Sequence, residues 1–340
     1  MEACNRSKLN DLRWLFTFGA AAGTLLLVLI PAWDPRPELP GEELMLLLLK
    51  ALLTLVLLTV VPSLWARSAA TVSPWMLPVF AALSFSCGML VFRDVKTAAF
   101  AALLCTLPGV GLYALQKLLI SNFQTVLYGS FVILAALYCR FCLPGLLETG
   151  DGYAWFRNAF GLFGKSLESA GILEAGFAGM KLSDVIELYR DNAEAICVSL
   201  MLTGGMAASL SNTLLSHLYN RKGGATLTPL PRFAQWRCER WYVIFSAVLA
   251  IGTFLLSMFG WETANALSSA ADVLWRMPCM LAGLCAVRDA GLRMNRGWII
   301  LIAVGMLVML PSVGGILLVV LGMLASLRKP LNTGKNGGRL

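Results

Sequence analysis

Apolar runs of 18 or more residues recur along most of this 340-residue chain, and nothing else in the sequence constrains its fold as strongly. A helix rises 1.5 Å per residue, so about 20 residues cross a hydrocarbon core of about 30 Å. Lipid offers no partner for a backbone amide or carbonyl, so each run must satisfy its own backbone as a helix. Composition agrees: 58% of residues are hydrophobic, only 14% are charged, and the mean hydropathy is +0.74. The chain therefore reads as an all-α, polytopic integral membrane helix bundle of about 8–10 transmembrane helices.

The runs place membrane helices at about 13–31, 43–65, 74–92, 97–118, 122–144, 188–217, 240–260 and 263–287, followed by a long segment at 297–327. The first run is read as a retained anchor, because the proline-rich PAWDPRPELP follows it and no small-residue cleavage site does. With the N-terminus cytoplasmic, Arg6, Lys8, Arg13, Arg67, Lys117, Arg221, Lys222, Arg232, Arg237, Arg240, Arg288, Arg293 and Arg296 fall inside. Only Arg36, Arg93 and Lys96 fall in short outer loops. Thirteen against three sets this orientation by the positive-inside rule. The +8 net charge is thus a topology signal, and no basic stripe with interleaved aromatics suggests nucleic acid.

Residues 1–330 read as one membrane domain and 331–340 as a disordered cytoplasmic tail. In 297–327 the stretch PSVGG at 311–315 interrupts the apolar run, which fits either a hairpin that returns the tail inside or one long kinked helix. Residues 145–187 form an outer amphipathic segment between the fifth and sixth spans. Its Trp155, Phe156, Phe160, Phe163 and Leu167 alternate with Arg157, Lys165 and Glu168, as in a helix lying on a membrane surface. Ser183, with Asp184 and Glu187 after it, reads as the N-cap of a helix continuing into the sixth span.

Signals for chemistry are few. AFGLFGKS at 159–166 lacks the first glycine and the preceding strand of a phosphate-binding loop, and reads as amphipathic helix. His217 is the only histidine, which excludes a metalloprotease signature and a histidine-centred triad. The nine cysteines, scattered mostly in apolar runs, do not form a secreted disulfide framework, and the one CxxC, Cys139 with Cys142, reads as packing. No enzyme activity, cofactor or metal is expected.

The stretch ADVLWRMP at 271–278 stands apart. It places Asp272 and Arg276 deep inside the eighth span, where each charge costs about 2.5–3.5 kcal/mol on an insertion scale. The i, i+4 spacing with acid first favours their pairing. Pro278 cannot donate to the carbonyl of Leu274, which leaves an acceptor free at that depth. Asn265, Ser268, Ser269 and Asp272 form a polar stripe on the same helix. In the sixth span Gly204, Gly205, Ala208 and Ser209 recur at small-xxx-small spacing, followed by Asn212 and Ser216. Two functions fit. The first is a binding or transport subunit for a small solute or ion, with a polar cavity between the sixth and eighth spans. In it Asp272 meets a cation or proton, Arg276 is its counter-ion, and Asn212 and Asn265 are hydrogen-bonding walls. The second is a scaffold or regulatory protein in which the ion pair fixes helix register. The partners expected are the lipid bilayer, a small-molecule or ion substrate and other membrane proteins.

PLPRFAQWRCERW at 229–241, the following span, the Asn265-to-Arg288 helix with its basic loop, and the interrupted run ending GMLASLRKP together resemble the YybS-like family of uncharacterised bacterial membrane proteins. KTAAFAALLCTLPGVGLYALQKLLISNFQTVLYG at 96–129 is similar in style, so the likeness covers 96–330. GMLASLRK lacks the acidic residue that members often carry before the basic stop. The resemblance implies a multi-pass protein of the bacterial plasma membrane. The N-terminal helices are similar in style to substrate-capturing subunits of energy-coupling factor transporters, a likeness that transfers no binding residue.

Overall fold

The computed structural model describes residues 2–32, 40–118, 121–171, 176–177, 180–220, 236–259, 264–294, 298–309 and 311–328, and the 331–340 tail lies outside these. The described residues are almost wholly helical, an all-α polytopic bundle, and seven helices are long and apolar enough to cross a membrane. Two shorter apolar helices, Met76–Phe92 and Val313–Leu327, accompany them. The chain divides into two compact units, Met1–Thr228 and Pro229–Leu340.

Unit 1 begins with α1 (Glu2–Ala32), α2 (Pro40–Thr71), α3 (Met76–Phe92), α4 (Val95–Lys117) and α5 (Asn122–Phe141). It continues through α6 (Leu143–Thr149), α7 (Ala154–Ser169), a two-residue antiparallel ladder of β1 (Gly176–Phe177) with β2 (Met180–Lys181), and α8 (Leu182–Asp191), to α9 (Ala193–Asn220). Its core is keyed on Trp65 of α2, which is fully buried. The indole N–H of Trp65 donates to Thr24 Oγ1 of α1 at 2.8 Å, and Thr24 in turn donates to the Ala20 carbonyl at 2.7 Å. From the other side Gly109 of α4 accepts the ring so closely that a Cβ there would lie 2.5 Å from it. One large side chain thus interlocks three helices, and its only polar atom is satisfied.

The turn from α3 to α4 shows why these elements end where they do. Arg93 closes α3 in the left-handed conformation (φ 54°) and donates its amide to Met89. Asp94 then caps α4 by accepting from the Thr97 amide and hydroxyl, both at 2.7 Å. Those bonds from Thr97 hold its carboxyl below the ordinary aspartate range.

The outer segment departs from the sequence reading in one respect. Ser183 does not cap a helix that runs on into the sixth span: Lys181 occupies the N-cap position of α8, and the Ser183 hydroxyl donates to Asp184 instead. The chain leaves helical geometry at Asn192 (φ −98°, ψ 24°) before α9 begins at Ala193. AFGLFGKS is continuous helix within α7, as expected. The apolar face of α7 is spent on protein. Phe141, Trp155, Phe156, Phe160 and Tyr189 form a ladder of ring contacts 5.0–5.5 Å apart that ties the end of α5 to α7 and α8.

Unit 2 comprises α10 (Arg240–Met258), α11 (Ala264–Arg293), α12 (Trp298–Met309) and α13 (Pro311–Leu327). Within the 297–327 run, α12 and α13 flank residue 310, which lies outside the described residues, and α13 carries the proline of PSVGG at its first described position. α11 is the spine, about 45 Å long by helical rise. α13 packs on it antiparallel through paired glycines. A Cβ at Gly283 would lie 2.0 Å from the Leu318 carbonyl oxygen, and one at Gly322 would lie 1.8 Å from that of Cys279. Only glycine permits so close a crossing.

Candidate functional site

The charges singled out in the sequence lie on the N-terminal half of α11. Arg276 Nε donates to Asp272 Oδ1 at 2.5 Å, so the expected i, i+4 pair forms within one helix. The two side chains remain 57% and 40% exposed. Asn265 is exposed and Ser268 and Ser269 are half-buried. At 100° per residue these five positions fall within an arc of roughly 100°. Cys279 and Gly283, two and three turns beyond Asp272, fall on nearly the same face, and there α13 covers it. The pair therefore sits where that cover ends, about 12 Å from the start of α11 by helical rise.

The acceptor freed by Pro278 is not left open, contrary to the sequence reading. The hydroxyl of Tyr242, a buried residue of α10, donates to the Leu274 carbonyl at 2.6 Å. A buried carbonyl without a partner is costly in lipid, and the neighbouring helix supplies the donor that proline removed.

Unit 1 repeats this device at the other proposed wall residue. Pro62 interrupts α2 and cannot donate to the Leu58 carbonyl. Asn212 of α9 repairs the break: its Nδ2 donates to the Leu58 carbonyl at 2.7 Å and to its own Ala208 carbonyl at 2.8 Å, while its Oδ1 accepts the Ser63 amide at 3.0 Å. Asn212 is 1% exposed, and both amide protons are engaged. It is a packing residue of unit 1, whereas Asp272, Arg276 and Asn265 belong to unit 2. The remaining small and polar positions of α9 pack as well. Ser209 donates to the Val126 carbonyl of α5 at 2.8 Å, Gly205 lies against the Ser130 carbonyl, and Ser216 accepts from Gln116 of α4 at 2.7 Å. His217 Nε2 lies 2.8 Å from Asn122 Oδ1, a half-buried bond between α9 and the start of α5.

Sequence reasoning missed Tyr242. A proline in mid-helix announces that a donor is needed, but the identity of the donor is a tertiary fact. No cluster of three or more His, Cys, Asp or Glu side chains that could hold a metal occurs among the described residues. No protein-family model, curated protein or solved structure matches the chain.

Proposed function

We propose that this multi-pass membrane protein is a binding or transport subunit for a small solute or ion, and that its charge site is the Asp272–Arg276 pair of α11. One observation carries the reading: on a helix long and apolar enough to cross a membrane, a carboxylate and a guanidinium pair with each other and are not sealed in the packing of their unit. Ionisable groups inside membrane helices are costly and are kept where they are used. Asp272 is the group that meets a cation or proton and Arg276 the counter-ion that holds it in its absence. Asn265, Ser268 and Ser269 lead toward them along one face. Asn212, spent on the α2 proline break, is not part of the site. The same reading takes the N-terminus as cytoplasmic and the location as a bacterial plasma membrane. The excess of positive residues on one side of the spans supports the first and the likeness of 96–330 to the YybS-like family the second, and an ion gradient or partner subunits supply the driving force.

A second reading, a non-enzymatic scaffold or regulatory protein, is favoured by one feature: the pair neutralises itself within a single helix and needs no ligand to do so. A thermal-shift screen of the purified protein separates the two, because a ligand that binds only the folded state stabilises it by about 2.7 kcal/mol at 100 times its Kd. The transport reading predicts that an ion, amino acid, vitamin or nucleobase raises the Tm of the native protein and not that of Asp272→Asn. No response across these classes would leave the scaffold.

A further inference from the structure

Between Ala264 and Val287, α11 carries only two charged side chains, Asp272 and Arg276, and among the described residues each is paired with the other and with no third group. The pair is neutral as a whole. A lone ion gains little by approaching it, because attraction to one member is offset by repulsion from the other. An ion that displaced one member would leave the other charge uncompensated on a helix long and apolar enough to cross a membrane, which is costly. A ligand that carries both charges escapes that penalty. Its ammonium replaces the guanidinium at Asp272, its carboxylate replaces Asp272 at the guanidinium, and the row of charges stays alternating and neutral.

The geometry limits how far apart the ligand's charges lie. Arg276 Nε meets Asp272 Oδ1 at 2.5 Å, and both side chains spring from one face of one helix, a turn apart. Opening that contact admits a short group, such as an ammonium and a carboxylate borne on the same carbon. A second observation concerns the carboxylate end. Trp275 precedes Arg276 and lies three residues after Asp272, and its indole N–H is buried with no acceptor among the described residues. A buried indole N–H ordinarily has a partner.

We propose, resting on the binding reading above, that the ligand of the Asp272–Arg276 pair is a compact zwitterion of the α-amino acid class. Its ammonium sits on Asp272 and its carboxylate on Arg276, and a carboxylate oxygen is the acceptor that the Trp275 indole lacks. Asn265, Ser268 and Ser269, which lead to the pair, are polar without charge and suit a ligand with no net charge.

The test measures the Tm of the full-length protein in detergent with each common L-amino acid, with its methyl ester, which keeps only the ammonium, and with its N-acetyl derivative, which keeps only the carboxylate. Simple ions, vitamins and nucleobases complete the panel. At least one amino acid is expected to raise the Tm, and its ester and N-acetyl derivative are not. In Trp275→Phe, which keeps the packing and removes the donor, the concentration for half the rise should increase about tenfold. The double variant Asp272→Asn with Arg276→Gln leaves no uncompensated charge in the span and should lose the response while staying folded. An ester or an N-acetyl derivative as effective as its parent overturns the zwitterion and keeps the binding reading. So does a response to an ion, vitamin or nucleobase with none to any amino acid. No response to any compound overturns both, and an amino-acid response unchanged in Trp275→Phe removes the indole from the site.

Discussion

At the scale of single residues, the polar side chains inside the helices divide by what they complete. Asn212 and Tyr242 each complete a backbone that a proline has broken, at Leu58 and Leu274 respectively. Removing either takes the side-chain donor from a carbonyl that a proline has freed, and Asn212 also accepts the Ser63 amide. An unmade bond of this kind costs about 1–3 kcal/mol per group. We expect Asn212→Leu to lower stability by about 2–5 kcal/mol and Tyr242→Phe, which changes only the hydroxyl, by about 1–3 kcal/mol, both read by thermal unfolding in detergent. Unchanged stability in both variants would mean that the prolines need no repair. Asp272 and Arg276 are of another kind, completing only each other and staying accessible while they do so. The sequence made that contrast half legible. The i, i+4 spacing of the charges predicted their pairing, but an asparagine in an apolar span looks the same whether it lines a cavity or patches a neighbouring helix.

At the scale of elements, hydropathy located every long helix, because lipid leaves an apolar run no other way to satisfy its backbone. The ends were less legible. α1 starts at Glu2 and α11 runs on to Arg293, well past the apolar stretches, since a helix continues into water wherever its residues favour it. The Ser183 signal misled because a serine followed by acidic residues caps a helix only if the chain turns there, and the β1–β2 ladder delivers the chain to Lys181 instead. The α11–α13 crossing was not legible at all: Gly283 and Gly322 matter only as a pair, and they are far apart in sequence. Their Cβ positions are filled by the opposing carbonyls, so Gly283→Val or Gly322→Val must push α13 away from α11. Overpacking of this kind costs about 1–3 kcal/mol or more. We expect either variant to lose stability and to free α13 for protease cleavage near Leu327. Native resistance in both would contradict the crossing.

At the scale of the whole molecule, the two units use their polar groups differently. Unit 1 spends serines, threonines, glycines and Asn212 on joining α1, α2, α4, α5 and α9, which makes it a closely packed frame. Unit 2 uses Tyr242 and its glycines in the same way but, among the described residues, leaves the Asp272–Arg276 pair exposed within a helix long enough to cross a membrane, whereas the exposed Asp151–Arg157 pair of unit 1 lies in the outer segment. On the proposed function this pair acts on a ligand and does more than fix helix register. Exchanging the two charges, Asp272→Arg with Arg276→Asp, tests it most directly, because the exchange keeps an ion pair on the same face while reversing its polarity. Each single change leaves one charge uncompensated and should lower both stability and the response to ligand. If the pair meets a ligand, the exchanged protein regains its thermal stability but not the ligand-induced rise in Tm. Full recovery of both on exchange would contradict it and assign the pair to structure alone.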